Sequence, residues 1–167
     1  MFGKQRRGSS LLEFTLVGIP IIFMLLSLFE VSRGMWIYHT LAYAVRQGTH
    51  YSSLHGKGCA SPNTCQVTIG DITGVIKTAG LGLDPNAVTL TFTPASGSAT
   101  SDTMANLLSN TTTWPPSSAN VPGQHVTIAA TYSFQTFLAM FWPGAGRAVM
   151  DSRAFTLGAS STEPIQF

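Results

Sequence analysis

Charge is scarce in this 167-residue chain, at 10% of residues, and it is unevenly placed. Lys4, Arg6 and Arg7 all precede Gly8, and beyond Gly8 six Lys and Arg stand against seven Asp and Glu. A body this close to neutral carries no basic patch, which argues against a nucleic-acid partner. Cysteine is nearly missing: Cys59 and Cys65 are the only two, and without a matching second pair they do not make a metal site. Histidine is equally thin. His50 and His55 are five apart, off the i,i+4 spacing that puts two ligands on one helix face, and no HExxH motif brings in His39 or His125. Gly80-Leu-Gly82 lacks a third spaced glycine and a preceding strand, and Gly74-Val-Ile-Lys77 lacks the spacing of a phosphate-binding loop. These absences leave no catalytic residue, no metal, no cofactor and no small-molecule substrate to assign, so the expectation is a protein that is not an enzyme.

What is present is concentrated at the N-terminus. From Phe14 to Phe29 the chain is uncharged and mostly apolar, and including Ser9 to Leu12 makes a run interrupted only by Glu13. A membrane-spanning helix needs about 20 such residues. Cations precede the run and none follows until Arg33, so the positive-inside rule keeps the N-terminus cytoplasmic and exports the rest. A secretory signal would place a small-residue cleavage site directly after its apolar core, but Ala42-Tyr43-Ala44 lies beyond Glu30 and Arg33. A plain anchor gives no reason for Glu13, since an acid inside a hydrocarbon span is costly and tends to be functional.

A third possibility accounts for it. Lys4-Gln5-Arg6-Arg7-Gly8-Ser9-Ser10-Leu11-Leu12-Glu13-Phe14 resembles a prepilin peptidase site: a basic leader 1–8, Gly as its last residue, Glu fifth in the mature chain, then the apolar helix. The resemblance implies cleavage between Gly8 and Ser9 by a membrane aspartyl peptidase, followed by methylation of the new amine. It also implies an assembly role for the Glu13 carboxylate, which would pair with the N-terminal amine of a neighbouring subunit where unpaired charge is expensive.

Pro20 removes one helical hydrogen bond and is expected to kink the helix, with Gly18 loosening the same turn. Glu30 and Arg33 are placed for an i,i+3 pair, while Trp36 and Tyr38 suit either a membrane interface or core packing. Ile37, Leu41, Ala44, Gly48 and Tyr51 continue on one helical face. The expected helix is 9–55, with a membrane span over 9–29 and an outer half over 30–55. It would end at His55-Gly56 and run roughly 70 Å at 1.5 Å per residue.

After Gly56 the composition becomes rich in turn formers, giving an extracytoplasmic α+β domain over 56–167. Export into an oxidising compartment fits a Cys59–Cys65 disulfide. Val67 to Ala79 has the spacing of a second amphipathic helix, and Ala87 to Thr93 alternates as a strand. Residues 95–120 are Ser, Thr and Asn rich and read as an exposed, flexible loop, despite Met104, Leu107 and Leu108. Val121-Pro-Gly-Gln is a turn before the clearest alternation in the chain, His125 to about Gln135. Thr136 to Phe141 suits a short helical turn, and Arg147 to Leu157 a last strand. The simplest assembly is an antiparallel sheet of three or four strands, covered on one face by the outer half of the first helix, plus one further helix.

Arg7-Gly-Ser-Ser-Leu-Leu-Glu-Phe14, the apolar run with Pro20, and Leu41-Ala-Tyr-Ala-Val-Arg-Gln-Gly-Thr-His-Tyr-Ser-Ser-Leu-His-Gly56 together resemble the TadE-like family, minor pilin-like proteins of bacterial tight-adherence pili. A helix, a Gly-Leu-Asp-Pro turn, a strand, Pro122-Gly123 and the strand into Tyr132 follow in the matching order. The chain departs from that pattern at Gln47-Gly-Thr-His50 and in its longer 95–120 segment. The resemblance implies a single-pass inner-membrane protein with a cytoplasmic N-terminus and a periplasmic C-terminal domain, and incorporation into an extracellular pilus as a further destination. It implies prepilin peptidase, other pilin-like subunits, the pilus assembly platform and inner-membrane lipid as partners, and pilus assembly and surface adhesion as function. A membrane-tethered binding module that forms no filament, or a pseudopilin of a secretion system, would share these features.

Overall fold

The computed structural model describes residues 7–59, 65–136 and 155–166. The basic residues Lys4 and Arg6, the centre of the Cys59–Cys65 loop, the helical turn expected to Phe141 and the segment from Arg147 to Ala154 lie outside them. The described residues fall into two compact units. One holds the first helix through Met35, and the other runs from Trp36 to Gln135 and takes in the C-terminal strand.

Helix α1 spans Arg7–Ser53 and continues through Pro20. In the second unit it is followed by β1 (Val67–Thr68), α2 (Ile69–Ala79), β2 (Val88–Thr93) and β3 (Thr100–Thr103). Next come the single turn α3 (Met104–Leu107), β4 (Thr113–Trp114), a 3₁₀ turn at Ser117–Ala119, β5 (His125–Phe134) and β6 (Phe155–Pro164). Four strands make one antiparallel sheet in the order β3-β2-β5-β6, and β1 pairs with β4 separately. The α+β architecture with a long N-terminal helix and an antiparallel sheet is as the sequence suggests.

Alternation decides which face of the sheet is covered. Val88, Leu90 and Phe92 of β2 and Val126, Ile128 and Ala130 of β5 are buried, and the intervening threonines face outward. Against the buried face lie Leu41, Ala44 and Val45 of α1 and Ile69, Ile72 and Ile76 of α2. The stripe from Ile37 through Leu41, Ala44 and Gly48 therefore does pack on this domain. Gly48 is needed for the approach, because a methyl group there would collide with the Ile76 side chain. At the Val121-Pro-Gly-Gln turn, Gln124 N–H donates to the Val121 carbonyl at 3.0 Å and Gly123 takes φ of 88°. That positive φ suits glycine at the third position of a type II turn.

Three expectations need correction. Val67 and Thr68 do not belong to the second helix: they form β1, and Thr68 caps α2. Its hydroxyl accepts from Asp71 N–H at 3.1 Å, while its own N–H donates to the Asp71 carboxylate at 2.9 Å. This reciprocal capping box satisfies donors that the helical ladder leaves open.

Residues 95–120 are not an exposed excursion either. They supply β3, α3 and β4, and Met104, Leu107 and Trp114 are buried, with Trp114 meeting Phe92 edge-on at 5.5 Å. The Asn110 and Thr112 carbonyls accept from Gly70 and Ile69 N–H at 2.9 Å each, so the polar segment closes the N-terminus of α2.

The last described strand, Phe155–Pro164, runs past the expected end at Leu157, while the expected start from Arg147 to Ala154 lies outside the described residues. Its inward positions are Leu157, Ala159, Ser161 and Glu163, opposite Tyr132, Ala130, Ile128 and Val126. Small and polar residues facing inward erase the alternation that would mark the strand in the sequence.

Candidate membrane-anchoring and assembly segment

In the first unit the helix itself is the candidate site. Gly8 and Ser9 fall in the first turn of α1, and Ser9 and Glu13, four residues apart, share one helical face about 6 Å apart along the axis. The Glu13 side chain is exposed. Around and beyond it, nearly every apolar side chain points outward: Phe14 is 77% exposed and Met24 74%. Soluble monomers rarely expose contiguous apolar patches above a few hundred Å². This helix is long and apolar enough to cross a membrane, with mean hydropathy 2.2 in its most apolar stretch.

Polar groups within the run are dealt with locally. Thr15 donates to the Leu12 carbonyl at 3.0 Å, Ser27 to Phe23 at 2.8 Å and Ser32 to Leu28 at 2.9 Å. Hydroxyls bonded to the preceding turn do not require water, which suits a hydrocarbon environment. These three were not singled out from the sequence, although a Ser or Thr in an apolar helix always has such a carbonyl three or four residues back. Pro20 offers no N–H to the Leu16 carbonyl. At the far end Arg33 donates to the buried Glu30 carboxylate at 3.1 Å, the expected i,i+3 pair.

From Trp36 onward α1 belongs to the second unit. Trp36 is 67% exposed and Tyr38 42%, which removes core packing as the explanation for this pair. The histidines stay apart: His50 Nδ1 lies 3.2 Å from the Glu163 carboxylate, His55 Nδ1 lies 2.6 Å from the Tyr51 carbonyl, and His125 is exposed on the sheet. Among the described residues no three His, Cys, Asp or Glu gather as a metal site. Cys59 and Cys65 are joined as a disulfide, their Cα atoms 5.4 Å apart. An open groove of about 800 Å³ runs beside α1 and α2, lined in part by Tyr43, Gln47, Gly74 and Leu81, and Asp71 is its one acid. The Asp71 carboxyl is held below its ordinary range, first by the Thr68 hydroxyl and then by the Thr68 N–H, so its electrostatics serve the helix cap.

Gly8, Glu13, the exposed apolar run and the buried Leu41 stripe are thus successive parts of one helix. Comparison with known families matches this same stretch, residues 8–50, to the family described as TadE-like protein. Gly8 to His50 is similar to that family, over about a quarter of the chain. The match suggests association with a tight-adherence pilus. The TadE-like segment spans both the part of α1 that exposes its apolar side chains and the part that packs on the sheet domain. Comparison with curated proteins gives no match, and comparison with solved structures gives none.

Proposed function

We propose that this chain is a minor pilin or pseudopilin of a tight-adherence pilus, supporting pilus assembly and surface adhesion. The observation that carries the reading is a coincidence of position: the TadE-like match begins at Gly8, five residues before Glu13, at the head of a membrane-length helix with its apolar side chains exposed.

In this reading prepilin peptidase removes residues 1–8 and leaves Ser9 as the mature N-terminus. The helix sits in the inner membrane with its N-terminus cytoplasmic and the sheet domain periplasmic. Exposed apolar side chains from Leu12 to Phe29 meet lipid first and the helices of other pilin-like subunits on assembly. Glu13 accepts the amine of a neighbouring subunit, because a carboxylate at this depth is tolerated when it is paired. Pro20 bends the helix between these contacts.

The test is the mass and N-terminus of the protein extracted from cells that contain prepilin peptidase. Expected is a chain beginning at Ser9, and a Gly8→Ala variant that keeps its leader and runs heavier. A wild-type chain still beginning at Met1, or a mass unaltered by Gly8→Ala, would sink the processing step and the pilin reading with it.

A further inference from the structure

Among the described residues, one edge of the sheet is left uncovered. β6 is its outermost strand, ten residues long, pairing one-to-one with β5 from His125 opposite Pro164 to Phe134 opposite Phe155, with no bulge. In an antiparallel ladder about half of an edge strand's residues turn their N–H and C=O away from the neighbour. No hydrogen bond from β6 to a further strand or loop is present among the described residues.

Natural sheets blunt such edges with lysine, proline, a bulge or a covering segment. From Phe155 to Thr162 this strand has no charge and no proline. The opposite edge differs: β3 is four residues long and runs straight into α3.

We propose that β6 is a docking edge for the β6 strand of a second copy of this chain, joined antiparallel so that the two sheets become continuous. Charge supports self-pairing. The single charged residue, Glu163, lies next to the end of the strand. An antiparallel register centred on Ala159 places the two copies' Glu163 at opposite ends and sets Phe155, not a like charge, across from it. The side chains at the centre are small: Gly158, Ala159, Ser160 and Ser161 let two backbones come to strand spacing without steric conflict. On the outer face the join would extend an uncharged surface already bearing Thr127 and Thr162, whose hydroxyls bond across the strands at 2.8 Å.

A single strand-to-strand contact is small by the standards of stable dimers. It gains from membrane tethering, which raises the effective concentration of one copy near another. The proposal does not depend on cleavage at Gly8.

Single cysteines introduced one at a time from Thr156 to Thr162, in the full chain reconstituted into liposomes, test it directly. Paired strands bring facing Cα atoms to about 4.5–5.5 Å, within disulfide reach. Oxidation should give covalent dimers with a sharp maximum at one or two adjacent positions. Yield there should exceed Thr91→Cys, on the outer face of β2 away from the edge, by about tenfold, a difference of 1.4 kcal/mol. Dimers formed equally from Thr91→Cys, or adducts only with other polypeptides, overturn self-pairing.

Charge exchange supplies a second reading that survives a misfolded variant. Ser160→Lys alone and Ser160→Glu alone should each lose co-purification of differently tagged copies, and mixing the two should restore it. A mixture no better than either variant alone overturns the proposal.

Discussion

Two stretches of helix α1, both apolar, meet opposite surroundings. Between Leu12 and Phe29 the large side chains are mostly exposed, whereas from Ile37 to Ser52 Leu41, Ala44, Val45, Gly48 and Thr49 are buried. The first stretch is apolar all the way round, as a helix must be when its solvent is hydrocarbon or other helices. The second is apolar on one stripe and mixes in small residues, as a helix must when it shares a core with a sheet in water. Composition alone would call both hydrophobic. The difference lies in periodicity and residue size, and it shows how one helix can be an anchor at one end and a core element at the other.

Substitutions that behave differently in the two stretches break or sharpen this contrast. The largest expected effect is from Leu41→Ala, which opens a cavity in a fully buried site and should cost about 2–5 kcal/mol in denaturant unfolding of the full chain in detergent micelles. Leu25→Ala, at a position 61% exposed, should leave the unfolding midpoint unmoved. The reverse holds for charge. Ile22→Lys should oppose membrane insertion by about 2.5–3.5 kcal/mol, read as a smaller carbonate-resistant fraction, while the near-ultraviolet circular dichroism of the Trp114 environment stays unaltered.

Gly48→Val comes next, at about 1–3 kcal/mol of destabilisation, because Ile76 occupies the space its side chain needs. Gly18→Val, where the nearest side-chain atom to an added Cβ is 3.9 Å away, should not lower the stability of the sheet domain. If both glycines tolerate valine equally, the close approach of α1 to α2 is wrong.

The smallest effect concerns the cap of α2. Thr68→Ala should cost about 1 kcal/mol. The Asp71 carboxyl sits below its ordinary 3.8 in the folded chain, so the folded state binds fewer protons than the unfolded one. Its contribution is therefore present above the ordinary carboxylate range and is lost as pH falls through the lowered value. Asp102 is shifted the same way by Asn106 and the Thr103 N–H. Thermal melts from neutral to acid pH should fall less steeply in Asp71→Asn than in the parent chain.

Much of this was legible beforehand because it rests on local chemistry. Helix α1, its inward stripe, the Glu30–Arg33 pair, the Val121-Pro-Gly-Gln turn and strand β5 follow from spacing and turn residues. The 95–120 segment was not, since Met104, Leu107 and Trp114 are isolated among Ser, Thr and Asn, and only partners distant in the chain reveal them as core. β1 was hidden because Val67 fits a helical stripe as well as a two-residue bridge to Trp114. β6 was hidden because Ala159, Ser161 and Glu163 at its inward positions are small or polar. The capping box of α2 carried a readable signal in Thr68 and Asp71, three residues apart.

By itself the sequence determined the membrane-length helix, the Gly8 to Glu13 spacing and the alternation of β2 and β5, because residue periodicity and the chemistry of single side chains do not depend on what folds against them. Only the tertiary structure decided which polar segment became core, where the last strand ends and which strand borders the described sheet. Those outcomes depend on pairings between residues far apart in the chain, whose backbone hydrogen bonds and buried contacts leave no periodic trace in either segment alone.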